Sequence, residues 1–250
     1  MRITQAALVA ATILLLGARP AVSSPLEALR MAWDNCPLSG SAVPDKPFTC
    51  DTNLGAASLY CAFSLLQPVD QVVGLELVVD VQHSAPIMPD WWRLGPAPDC
   101  RHDLLTANID FSQTDACQDP GFAGALIQDY LITEPRGLPS QARIKAVAYL
   151  PSPQTISFGT DTTYDAVHIV LGYDRTVNVN VCAGCTQAAC LVFNSVLIRR
   201  TKGAPGGDLM ITTPGPGTAN WATWRSGSGA NCLLVPVRRM TWGTVKSLYR

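Results

Sequence analysis

Val72-Val73-Gly74-Leu75-Glu76-Leu77-Val78-Val79-Asp80-Val81 places Leu75, Leu77, Val79 and Val81 on one face of an extended chain, and Glu76 and Asp80 on the other. A period of two marks a half-buried β-strand, because successive side chains point to opposite sides of the pleat. Just before it, Ser58 to Leu66 (SLYCAFSLL) is aromatic and apolar and stops at Gln67-Pro68. The short Pro-Val-Asp-Gln connection between the two predicts an antiparallel pair.

The alternation recurs downstream. Gln141 to Leu150 carries Ile144, Ala146, Ala148 and Leu150 on one face. Ala166 to Tyr173 (AVHIVLGY) and Thr176 to Val181 (TVNVNV) read as consecutive strands about Asp174-Arg175, with Asn178 and Asn180 turned away from the valines. Leu191 to Arg199 (LVFNSVLIR) is a further strand. Gly124 to Glu134 (GALIQDYLITE) fits helix or strand. Pro25 to Trp33 fits a short helix, with Leu26, Leu29 and Trp33 on one side, or an edge strand.

Between these segments, His83 to Pro120 is rich in Pro, Asp and Cys and reads as a long stapled loop. Lys202 to Asn220, with Gly203-Ala204-Pro205-Gly206-Gly207 and Pro214-Gly215-Pro216-Gly217, breaks both helix and strand. Six or more short strands, without the amphipathic helices of a βαβ fold, predict an all-β protein. The expected architecture is an antiparallel β-sandwich, immunoglobulin-like or jelly-roll-like, with long disulfide-stapled loops and little helix. There is no internal repeat and no strong linker, so residues 24–250 are expected to form a single domain.

The first residues set the compartment. Arg2 precedes an apolar run from Ala6 to Gly17, and Ala21-Val22-Ser23 supplies the small residues a signal peptidase accepts. Residues 1–23 are therefore expected to be a cleaved export signal, too short in its apolar part to remain as a membrane span. No later segment is long and apolar enough for a transmembrane helix. The location expected is secreted, whether extracellular, cell-surface or periplasmic. Residues 1–23 hold two arginines and no acid, which leaves 16 basic and 19 acidic residues in the rest. A net charge near −3 gives no electrostatic basis for binding nucleic acid or an anionic membrane.

All nine cysteines follow the export signal. In an oxidising compartment the default is structural disulfides. Nearness in sequence points to Cys36–Cys50 and Cys100–Cys117, and an odd count leaves one thiol over. Cys61, inside an apolar stretch, is the expected free one, since an unpaired cysteine behaves as a small buried hydrophobe. Cys182-Ala183-Gly184-Cys185, followed by Cys190, is the sharpest local feature. A Cys-x-x-Cys can carry redox chemistry, and three clustered thiols with Cys232 can hold zinc. Thr186-Gln187-Ala188-Ala189 offers at most one helical turn to lower a thiol pKa, so a disulfide-pinned turn with a partner such as Cys232 is the expectation. No metal and no cofactor are expected.

Catalytic signatures are missing. There is no Gly-x-Ser-x-Gly elbow, no His-Glu-x-x-His helix and no phosphate-binding glycine loop with a lysine. The histidines are His83, His102 and His168, and Asp80, Asp90, Asp99 and Asp103 lie near the first two in sequence. An exported hydrolase with a His/Asp site is thus one alternative, and a structural component of a cell envelope or appendage is another.

The aromatics favour binding. Asp90-Trp91-Trp92-Arg93 sits in a Pro-rich loop, and Trp221 and Trp224 flank another. Exposed indoles suit sugar rings or a partner's hot spot. The expectation is a secreted binding or adhesion module for carbohydrate or a cell-surface protein, with Trp91, Trp92, Trp221 and Trp224 as contacts. The last segment, 236–250, is basic through Arg238, Arg239, Lys246 and Arg250. It reads as a sorting signal or as a final element docking on the sandwich.

Overall fold

The computed structural model describes residues 27–215, 220–230 and 232. The export signal at 1–23 and the basic segment at 236–250 lie outside the described residues. The described chain is built of strands, with only two single turns of 3-10 helix, at Asp90–Trp92 and Arg225–Gly227.

Two sheets face each other. The smaller contains β1 (Ala28–Trp33), β3 (Ala56–Ser64), β5 (Leu105–Asn108) and β9 (Thr163–Gly172), in the spatial order β1-β3-β9-β5. The larger runs β2 (Asp45–Lys46), β12 (Trp221–Trp224), β10 (Ala189–Arg200), β4 (Val69–His83), β7 (Gln141–Tyr149), β6 (Gly124–Ile132). Short strands β8 (Ile156–Phe158) and β11 (Leu209–Ile211) add to β4 and β10. Every pairing between these strands is antiparallel except the two-residue contact of β2 with β12. The all-β sandwich with disulfide-stapled loops and little helix is thus the fold observed.

The period-two faces meet at the core. Leu75, Leu77, Val79 and Val81 of β4, with Ile144, Ala146 and Ala148 of β7, pack in one cluster with Leu59, Cys61 and Phe63 of β3 and Ile169 and Leu171 of β9. Each fully buried aliphatic or Phe side chain there contributes about 1.5–3 kcal/mol. In β10 the inward set shifts from Leu191 and Phe193 to Val196 and Ile198, because a bulge opposite β4 inserts Asn194. On the other face of β4, Asp80 is also fully buried, held by Arg143 through bonds of 2.7 and 2.9 Å and by Asn194.

Several expectations are corrected. Segments 58–66 and 72–81 do form strands, but they do not pair. β3 lies between β1 and β9, and β4 between β10 and β7, so the Pro-containing link arches from one sheet to the other. It holds none of the Asn-Gly or Asp-Gly chemistry that folds a two-residue hairpin. Thr176 to Val181 is not a strand either. Arg175, Asn178 and Asn180 have φ of 61°, 70° and 64°, which breaks the alternation. The Asn53 side chain accepts the N–H groups of Thr176 and Val177 and donates to the Val177 carbonyl, in place of a partner strand.

In the described residues of the two ambiguous segments, Ala28–Trp33 and Gly124–Ile132 are strands. β1 pairs with β3 along its whole length, and β6 with β7. In both, cross-strand partners decide between conformations that local spacing leaves open. The His83–Pro120 loop contains β5, and the Gly/Pro stretch at 202–220 contains β11, which pairs with Val196–Ile198.

Candidate functional site

The register brings one set of strand ends together. Ala56 pairs with Gly172, Ala189 with both His83 and Trp224, and Gln82 with Gln141. The loops leaving these ends hold most of the features singled out in the sequence.

Trp91, Trp92 and Trp224 are not exposed; all three are completely buried. Their rings form a plug with Trp33, with centroids 4.9 Å apart for Trp91–Trp224, 5.2 Å for Trp91–Trp92 and 5.8 Å for Trp33–Trp224. The buried indole N–H groups of Trp33, Trp91 and Trp224 donate to the Thr223 carbonyl, the Thr176 hydroxyl and the Cys185 carbonyl. Arg101, itself fully buried, lies 3.6 Å over the Trp91 ring and donates to the backbone carbonyls of Trp91, Gly172 and Asp174. Burial lowers its pKa to about 9, so it stays charged at neutral pH. The expectation of ligand-contacting indoles is therefore corrected for these three. The Pro-rich loop folds inward because both of its large rings bury their apolar surface there and the Trp91 N–H finds a partner, while the buried Trp92 N–H has none. Trp221 of β12, paired with Val192 of β10, is exposed and stands apart from the plug.

The disulfides tie distant loops: Cys36–Cys117, Cys50–Cys185, Cys100–Cys182 and Cys190–Cys232. The nearest-neighbour pairs Cys36–Cys50 and Cys100–Cys117 do not form, because the sandwich separates residues close in sequence and joins loops from different sheets. Cys182 and Cys185 each bond to a different loop, so the Cys-x-x-Cys is a double anchor and has no dithiol. Cys61 is the free cysteine, buried in the core, where desolvation pushes its thiol far up.

The histidines do not converge. His83 is buried against Trp92, its Nδ1 accepts the Ala85 N–H at 3.1 Å, and burial lowers its pKa to about 4. His102 Nδ1 lies 3.0 Å from the Asp99 carbonyl. His168 packs between Tyr60 and Phe111 on the outer side of the smaller sheet. Asp80 is committed to Arg143, Asp99 binds Arg93 and the Gly95 N–H, and Asp103 sits at a turn with φ of 66°.

What the loop end does form is a cleft of about 300 Å³. Ile87, Pro89 and Asp90 line one wall, and Ala183, Gly184 and Gln187 the other, with no histidine in its lining. The Trp91 N–H donates to the Ala183 carbonyl at 2.8 Å, and the Ser84 N–H to the Ala188 carbonyl at 3.0 Å, fixing wall to wall. Gly184 has φ of +105°, and a Cβ there would overlap the Pro89 side chain, so only glycine fits. Around the cleft, Leu54 (83%), Ile87 (67%), Val179 (85%) and Val181 (54%) are exposed. Sequence reading missed these tips: periodicity mistook Val179 and Val181 for strand, and Leu54 and Ile87 are single aliphatic residues in turn-rich segments.

No family model matches the chain, and no curated protein matches its sequence. Among solved structures, the second type II cohesin module from the cellulosomal adaptor ScaA scaffoldin of Acetivibrio cellulolyticus is similar at 7% identity, over 74% of this chain and 85% of that one, with a TM-score of 0.27. A likeness that slight adds nothing to the two-sheet fold already described.

Proposed function

We propose that the chain is an exported binding module that docks a partner protein with its disulfide-stapled loop end. The observation that carries this is the set of exposed aliphatic tips, Leu54, Ile87, Val179 and Val181, held on loops that two disulfides tie to one another. Apolar surface kept in water on rigid loops loses little conformational entropy on association, which favours affinity. Four disulfides fit an oxidising, exported location. A carbohydrate ligand has less support, since three of the four indoles that would stack on sugar rings form the buried plug and Trp221 alone is exposed. A catalytic role has no support from the cleft, where Asp90 stands without a histidine.

The test is photo-crosslinking from Ile87 and Val179 on living cells, followed by titration with the purified captured surface protein. Leu54→Asp/Ile87→Asp/Val179→Asp should weaken that binding at least tenfold. A control at other exposed positions, Leu66→Asp/Leu126→Asp/Met210→Asp, should leave it unchanged. Equal effects of the two triples, or glycan binding abolished by Trp221→Ala, would sink the protein-docking reading. Concentration-dependent self-association on gel filtration would favour a structural component instead.

A further inference from the structure

Part of the outward face of the smaller sheet is closed to water. Tyr60, Ala62 and Ser64 of β3 and Asp165 and His168 of β9 point away from the core cluster, yet all are buried. Residues 109–118, which follow β5, lie against Asp165 and His168. The Phe111 ring lies 5.7 Å from that of His168, and the Thr114 hydroxyl is shared between the Phe111 carbonyl at 2.8 Å and Asp165 Oδ2 at 3.1 Å. The far end is pinned: the Gln118 N–H donates to the Thr163 carbonyl, its carbonyl accepts the Asp165 N–H, and Cys117 is bonded to Cys36. The near end is fixed by the pairing of Asn108 with His168. Residues 109–116 thus span two anchors and reach the sheet through Phe111 and Thr114.

Asp165 is the weak point beneath them. It is fully buried, receives one side-chain hydrogen bond, and its Oδ1 has no partner. The Cys36 and Cys117 sulfurs lie within 4.8 Å of its carboxyl, and a disulfide has no proton to donate. A buried carboxylate needs several donors or a cation. The charge acting on this one is Asp119, of the same sign. Tyr60 and Cys61 of β3 are neutral, and Asp110 of the covering segment acts on Tyr60 and His168. Arg30 of β1 has its guanidinium against Gly215. Burial first, with Asp119, raises the Asp165 pKa to about 7 against the Thr114 hydroxyl, which favours the ionised carboxyl and offsets only part of that burial.

We propose that residues 109–116 are a proton-held latch, closed over the smaller sheet while Asp165 is protonated and released as its carboxyl ionises, with Cys36–Cys117 keeping the far end tethered. The carboxylate requires water, and water reaches it when Thr114 and Phe111 lift. Opening exposes Tyr60, Phe111 and His168 without unfolding the sandwich.

The test uses the full chain with its disulfides intact. Amide exchange at 109–116, corrected for the intrinsic pH dependence of the chemistry, is followed from pH 5 to 8 in the wild type and in Asp165→Asn. His168, whose proton the closed state disfavours, pulls the opposite way below its ordinary pKa, so the informative quantity is the ratio of the two protection factors. That ratio should grow by up to about tenfold per pH unit between pH 5 and 7 and level off above. A ratio that does not change with pH overturns the latch. If Asp165→Asn does not fold, Asp119→Asn serves: loss of the like charge should move the levelling of wild-type-like protection to lower pH, and an unmoved profile overturns the proposal.

Discussion

Removing the Cys100–Cys182 bridge by Cys100→Ala/Cys182→Ala should be among the costliest changes that leave the core strands untouched. The two cysteines are 82 positions apart, and closing a loop of that length in the unfolded chain is worth about 4.5 kcal/mol on the chain-entropy account. Cys50–Cys185 remains in the variant and already shortens the path. Through it and the Cys36–Cys117 bond, the open loop comprises roughly 17 positions from Cys100 to Cys117, 14 from Cys36 to Cys50 and three from Cys182 to Cys185, which reduces the figure to about 4 kcal/mol. Against a typical stability of about 5–15 kcal/mol, such a loss is large. Urea unfolding of the oxidised protein, followed by tryptophan fluorescence, measures it directly. The midpoint should fall by an amount matching about 4 kcal/mol, with m rising because a less cross-linked unfolded chain exposes more surface. A loss below about 1 kcal/mol would refute the reasoning, since Cys50–Cys185 alone would then confine the loop end.

Three further outcomes follow from the same geometry. Gly184→Ala forces a side chain into the left-handed region and against Pro89, so stability should fall by about 2–3 kcal/mol in thermal unfolding; an unchanged Tm would show that the cleft wall yields. His83 accepts a proton near pH 6.5 when unfolded but only at about 4 when folded, so it lowers stability as pH falls through that window. His83→Asn should flatten the acid limb by roughly 3 kcal/mol at pH 4, and an unaltered pH profile would place the acid sensitivity elsewhere. Cys61 should resist alkylation at pH 8 until the protein is unfolded, as burial keeps its thiol protonated. Labelling of the native protein on the time scale of a free thiol would contradict that burial.

The strands were legible because their signal is local. Leu75, Leu77, Val79 and Val81 sit two apart, and a pleated chain with one wet and one dry face leaves that imprint whatever it pairs with. The same imprint misled at Thr176–Val181, where Asn178 and Asn180 take positive φ and Asn53 satisfies the backbone. Alternating residues record what a strand would bury but not whether a neighbour is there to bury it. The loop end was the least legible part, because every feature of it depends on residues far apart in the chain. Trp91 is buried through Thr176, Arg101 and Trp224, and the Cys-x-x-Cys is divided between Cys50 and Cys100.

By itself, then, the chain's periodicity and composition determined an all-β sandwich with stapled loops, since a pleat and the burial of apolar side chains are consequences of nearest neighbours. Pairing of the sulfurs, the inward turn of the indoles and the arch between β3 and β4 were settled by packing one sheet on the other, and the burial of Asp165 by residues 109–116 folding back over the outer face. Those are distances between remote segments, and no local spacing encodes them.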